Sequence, residues 1–163
     1  MKKIIILTVL LLSVCSFAQT KKETEEWILE KYDQFDVSST HLLKIENNYL
    51  VYIVPSRYNT SYSTIPIKNI KSIKITKVIS DLEGWEEYYS IILIGKGKEF
   101  GSIEKGEYVP WDEQDKMDKE ELGLKTYLNK TFGKNQLPQR MEKAFINLVK
   151  LYGGNPKVYK EAF

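Results

Sequence analysis

The chain offers few residues whose types and spacing could do covalent chemistry. Some of its acids stand in adjacent pairs, among them Glu86-Glu87, Asp112-Glu113 and Glu120-Glu121, and glycoside hydrolysis needs only two carboxylates placed across a cleft. Neighbouring acids in a charged chain are more simply read as solvated, so no catalytic residue is assigned and a small carboxylate hydrolase stands as an alternative. His41 is the single histidine. A serine triad would have to use it, but no G-x-S-x-G elbow accompanies it, and a structural or surface role is preferred. There is no G-x-x-x-x-G-K-[ST] phosphate loop. Asp112, Glu113, Asp115 and Asp118 lack the glycine and terminal glutamate that an EF-hand needs in register. No metal and no cofactor is expected.

Residues suited to binding are more plentiful. Tyr58 and Tyr62 punctuate "RYNTSYS", Trp85 lies in "EGWEE" and Trp111 in "VPWDE". Such rings stack on sugars or anchor protein partners, or else they fold back over the protein's own sheet. "IPIKNIKSIKITKVI" carries Lys68, Lys71, Lys74 and Lys77 at every third position. On a helix this spacing drifts around the cylinder, and on a strand Lys68 and Lys74 face away from Lys71 and Lys77. Neither element makes one basic stripe. The β-branched residues between the lysines favour strands. Two strands joined by a tight turn across Lys68 to Lys71 are therefore expected, with Ile65, Ile67, Ile73 and Ile75 inward, Ile70 anchoring the turn, and Lys74 and Thr76 outward. The preferred role of the lysines is to blunt an exposed strand. The alternative is contact with a phosphate or an acidic lipid by Lys68 and Lys71, joined by Arg140, Lys143 and Lys150 of the last helix.

These residues have to be positioned by the elements around them. Thr20 and Glu23 have capping-box spacing, and Trp27, Ile28 and Tyr32 recur at nearly helical steps, predicting a helix over 21–33. Strands follow at 41–46 and 49–54 about an Asn47-Asn48 hairpin turn. Further strands are predicted at 58–67, at 88–94, paired across the loop Ser80 to Glu87 with the strand that ends the lysine stretch, and at 98–104 after the turn Gly95-Lys96-Gly97. Residues 105–120 read as a loop or helical excursion around Pro110-Trp111, and 122–128 as a last strand. Pro138 suits a first helical turn. Leu137, Met141, Ala144, Phe145, Leu148, Leu151 and Tyr152 then mark the inner face of a closing helix, capped by Gly153-Gly154. Its other side, Arg140, Lys143, Asn147 and Lys150, reads as a solvated face.

The first eighteen residues have the form of an export signal. Lys2 and Lys3 precede the apolar run Ile4 to Val14, and Ser16-Phe17-Ala18 presents small residues for cleavage before Gln19. The run is too short for a comfortable membrane span, so no transmembrane segment is expected in the mature chain. Leu12-Ser13-Val14-Cys15 is similar to a bacterial lipobox, although Val14 departs from the small residue usual before its cysteine; lipidation at Cys15 is the lesser alternative. Cleavage at Ala18 would remove the only cysteine, and with it any zinc set of the usual His and Cys composition. It would also remove two of the 24 basic residues, leaving 22 against 22 acids. That balance gives no reason to expect nucleic acid.

The remaining residues, 19–163, read as a single α+β domain. The helix, the antiparallel strands with the "IPIKNI" turn, and the closing helix together resemble the pleckstrin-homology-like (PH-like) barrel, including its GRAM-type variants. The ending "MEKAFINLVKLYGG" resembles that of small exported bacterial proteins. The resemblance implies an antiparallel, partly closed barrel or strongly curved sheet of about six to seven strands that serves as a scaffold for lipid or protein binding. It carries over no ligand residue, and fold alone does not assign function. The expectation is a periplasmic or secreted, monomeric binding module for a protein, glycan or lipid.

Overall fold

The computed structural model describes residues 20–38, 40–79, 87–110 and 124–158. The expected signal with Cys15, the rings Trp85 and Trp111, and the acids Glu86, Asp112-Glu113 and Glu120-Glu121 lie outside these residues.

Helix α1 spans Lys21–Phe35. Its capping box closes as expected: Thr20 Oγ1 accepts from the Glu23 amide at 3.2 Å and Glu23 Oε2 accepts from the Thr20 amide at 2.8 Å. Strands β1 (Leu42–Glu46) and β2 (Tyr49–Pro55) form a hairpin. Asn47 and Asn48 turn it with φ of 50° and 68°, the left-handed geometry that matches strand twist. Strand β3 (Thr60–Pro66) pairs with β2. A 3-10 turn over Ile67–Asn69 leads into β4 (Ile70–Ile79), and β5 (Glu87–Gly95) pairs with it. Strand β6 (Glu99–Glu104) returns to pair with β3, and β7 (Glu107–Pro110) pairs with β6. Strand β8 (Leu124–Asn129) pairs with β5; then come helix α2 (Leu137–Leu151) and the short β9 (Lys157–Val158), parallel to β4.

The result is an α+β fold with two sheets, ordered β1-β2-β3-β6-β7 and β8-β5-β4-β9. Two expectations are corrected. Lys68 to Lys71 do not close a hairpin, because β3 and β4 belong to different sheets and the chain turns a corner between them. Residues 107–110 form a strand rather than a loop, because Lys105 and Gly106 take φ of 51° and 87° and turn the chain back on β6.

The main core lies between the sheets and the helices. Ile28 and Tyr32 of α1 meet Leu50, Ile65, Ile73, Ile91 and Leu128 of the strands. Helix α2 adds Met141, Phe145, Leu148 and Val149. Val149 is inside, whereas Leu151 is 41% exposed, contrary to the predicted inner face. The other side of α2 is not simply solvated. Asn147 Nδ2 donates to the buried Thr24 Oγ1 at 3.2 Å, and the Arg140 guanidinium lies 5.4 Å from the Trp27 ring centroid. Helix α1 thus covers part of the face read as solvent-exposed. Gly153 and Gly154 cap α2 as expected, their amides donating to the Lys150 and Val149 carbonyls at 2.9 and 2.8 Å, a Schellman arrangement.

Asp36, whose side chain is 2% exposed, ties α1 to the first sheet. It accepts from the Tyr32 hydroxyl at 3.2 Å and from the Ser38 amide at 3.3 Å. His41 Nδ1 lies 3.4 Å from the same carboxylate and 2.9 Å from the Tyr52 hydroxyl. His41 thus bridges Asp36 and Tyr52. Burial, above all, pushes the Tyr52 hydroxyl from 10.0 up to about 12, and pushes Tyr32 still further. Both side chains hold their protons more tightly folded than unfolded, so the unfolded chain ionises first and stability falls as pH rises above 10. A urea midpoint that drops between pH 9 and 11, and drops less in Tyr52→Phe, is the expected result.

Candidate functional site

Residues directly opposite each other in an antiparallel sheet share a face. On the face of the first sheet turned away from the main core, the register sets out four rows. They are Glu46, Tyr49, Pro66; Lys44, Val51, Thr64, Glu99; Leu42, Ile53, Tyr62, Gly101, Pro110; and Pro55, Thr60, Ile103, Tyr108. Val51, Ile53 and Tyr62 are nonetheless buried and pack with Ile103 as a second, smaller core. The Tyr108 hydroxyl donates to Glu46 Oε2 at 3.0 Å. Those residues stand on the two edge strands, at diagonal corners that would be more than about 20 Å apart in a flat sheet. The sheet must therefore coil strongly about this face, and the hydrogen bond ties its corners.

Gly101 permits the coil. A Cβ there would collide with the Val109 carbonyl oxygen and with the Tyr62 ring. In its absence the Tyr62 and Tyr108 rings meet edge to face, with centroids 4.9 Å apart and planes at 74°. The Tyr62 hydroxyl donates to Glu99 Oε1 at 2.7 Å. Burial, and then the hydrogen bond to Glu99, push the Tyr62 hydroxyl well above its usual range; Tyr108 is raised by burial and then by Glu46. Both phenols stay protonated and keep donating to the two carboxylates.

A cleft of ≈ 220 Å³ opens over these groups, lined by Glu46, Asn47, Tyr49, Val51, Tyr62, Thr64, Glu99 and Tyr108. Tyr49 and Tyr108 are 41% and 42% exposed at its rim. Lys44 Nζ approaches Glu46 at 3.6 Å from outside that lining.

The residues singled out in the sequence are dispersed. Tyr62 lies on the floor of the cleft, buried, rather than on an open surface. Tyr58 is 97% exposed at the tip of the β2–β3 hairpin and does not line the cleft. Trp85 and Trp111 lie outside the described residues. Lys68 and Lys71 do come together at the sheet corner, where a recess of ≈ 290 Å³ is lined by them with Asn69, Ile70, Lys96 and Asn155. Lys68 also borders a second recess of ≈ 370 Å³ that includes Lys21, Asn48 and Tyr152. Lys150 sits at the α2 end near this corner, since Gly154 packs beside the Lys68 carbonyl. Arg140 is ten residues away, about 15 Å along the helix, engaged with Trp27. Lys143 is exposed on the same helix.

Among the described residues no group of three or more His, Cys, Asp or Glu side chains could hold a metal, and no helix is long and apolar enough to cross a membrane. Sequence reading missed Glu46, Tyr49, Glu99 and Tyr108. The alternation Tyr49, Val51, Ile53 was visible, but Glu99 and Tyr108 join it only through the pairing of β3 with β6 and of β6 with β7.

If Gly101 sets the coil, Gly101→Ala should cost about 1–3 kcal/mol, the usual range for overpacking, read as a lower urea midpoint. Tyr108→Phe keeps the ring and loses the tie, and should cost about 1 kcal/mol. No protein-family model, no curated protein and no solved structure matches the chain, so function is read from its own geometry.

Proposed function

We propose that this protein is a non-enzymatic binding module of the bacterial envelope, exported and periplasmic or secreted, whose ligand site is the tyrosine and glutamate cleft of the coiled sheet. The observation that carries the reading is the cleft itself. It gathers three tyrosines and two glutamates from β1, β2, β3, β6 and β7 on a face that has no share in the main core. A small, pre-formed concavity with a few oriented polar groups is the usual form of a ligand site. The PH-like, partly closed barrel belongs to the same proposal: the corner tie between the edge strands and the closing helix against the sheets support it.

A hydrolase is the second reading, because Glu46 and Glu99 line one cleft, although neither belongs to the adjacent acid pairs. The hydrogen bonds weigh against it. Each carboxylate is already engaged by a tyrosine hydroxyl that donates to it, whereas glycoside hydrolysis needs a carboxyl group free to reach the glycosidic oxygen. Peripheral lipid contact is the third reading, supported by the convergence of Lys68 and Lys71 and weakened by the engagement of Arg140 with Trp27.

The test is a screen of small polar molecules against the isotopically labelled chain by two-dimensional NMR. The binding-module reading expects saturable shifts clustered at residues 46–51, 62–64, 99 and 108. Shifts confined to Lys68, Lys71 and Asn155, or turnover of a chromogenic glycoside abolished by Glu99→Gln, would replace it with the lipid or the hydrolase reading.

A further inference from the structure

The eight residues that line the cleft include two carboxylates and three phenol rings, and no lysine, arginine or histidine. Each carboxylate is oriented by a tyrosine hydroxyl. Glu99 has no ion pair among the described residues, and the cation nearest Glu46, Lys44, has a side chain 45% exposed. Below the rim the surroundings are poorly solvated, since Tyr62 is 2% exposed and Val51 3%. Glu46 reaches the rim with its side chain 39% exposed, and a negative charge beside such an apolar floor attracts a cation more strongly than one in open water.

The aromatic geometry points the same way. The faces of aromatic rings attract cations through their quadrupole, more so when the cation is desolvated. The Tyr62 and Tyr108 planes stand at 74° to each other, making the floor and wall of a corner instead of the flat platform on which a sugar ring stacks. Tyr49 adds a third ring from the rim. At ≈ 220 Å³ the cleft falls below the roughly 300–1,000 Å³ of sites for drug-sized ligands, so it suits one small head group.

Resting on the reading of this cleft as the ligand site, we propose that it binds an alkylammonium group: a small organic amine, or the same group on a lysine side chain of a partner. Glu99 and Glu46 supply the counter-charge, Tyr49 and Tyr108 the aromatic walls, and Tyr62 and Val51 the floor. Phosphates and carboxylates are excluded by the two acids.

The experiment is a titration of the labelled full chain with n-butylammonium chloride, tetramethylammonium chloride, an N-acetylated lysine tripeptide and methyl β-glucoside, at constant ionic strength. Saturable shifts of the Tyr49 and Tyr108 ring resonances with the ammonium probes are expected. They should weaken roughly tenfold in Glu99→Gln, the loss of about 1.4 kcal/mol, with an unchanged urea midpoint as the check on folding. Tighter binding of the tripeptide than of butylammonium assigns the source to a partner protein; the reverse assigns it to a free amine. Cleft shifts with the glucoside and none with the ammonium probes would overturn the cation proposal and leave the cleft as a binding site. Ammonium binding that ignores both Glu99→Gln and Glu46→Gln would overturn it as well. Cleft silence toward all four probes would overturn the cation proposal, while the broader screen separately decides whether the cleft binds anything.

Discussion

The five-stranded sheet carries apolar residues on both faces, and only one of them can lie against the helices and the second sheet. Strand β2 states the problem within four residues: Leu50 and Tyr52 enter the main core, while Val51 and Ile53 point the other way and are buried all the same. Leaving a contiguous apolar sheet face in water is unfavourable in proportion to its area. Coiling the sheet about that face covers it, and strand twist supplies the direction. Much of the molecule's organisation follows from this demand.

The coil and the sheet corner depend on close backbone approaches. Gly101 lets the Tyr62 ring lie across β6, and Gly95 lets β5 approach the Asn69 carbonyl where β3 gives way to β4. With β4 turned out of the first sheet, β6 takes the place beside β3 and carries Glu99 and β7 onto the coiled face. The α2 cap then rests against the same corner at Lys68. The cleft and the lysine recess are thus consequences of one change of sheet, seen from its two sides.

The electrostatic character of the two sides differs for the same reason. On the coiled face, tyrosine hydroxyls hold glutamates in a half-buried cleft, so charge and aromatic surface act together. At the corner, the exposed Lys68 and Lys71 side chains project from the turn and from the start of β4, where water and salt screen them. Helix α1 adds a further division. It places Trp27 under Arg140 and Thr24 against Asn147, so two positions on the polar side of α2 are engaged within the fold.

Local signals were legible wherever one element's own periodicity or turn chemistry decided its form. Thr20 and Glu23 determined the start of α1, Asn47-Asn48 the first hairpin, and the spacing from Leu137 to Leu148 together with Gly153-Gly154 the closing helix. The α+β class followed from these. Partner choice was not legible. Whether Ile65 and Ile73 belong to one hairpin or to two sheets depends on whether β6 competes for the edge of β3, and β6 lies 37 residues further along the chain at the Tyr62–Glu99 contact. Leu151 and Val149 exchange places because the face that α2 buries is set by what α1 and the corner leave open. Glu46, Tyr49, Glu99 and Tyr108 have ordinary surface neighbours in sequence. By itself the sequence determined the elements and their turns; only the tertiary structure, through pairing across distant segments and the burial of a second apolar sheet face, decided which residues share a site.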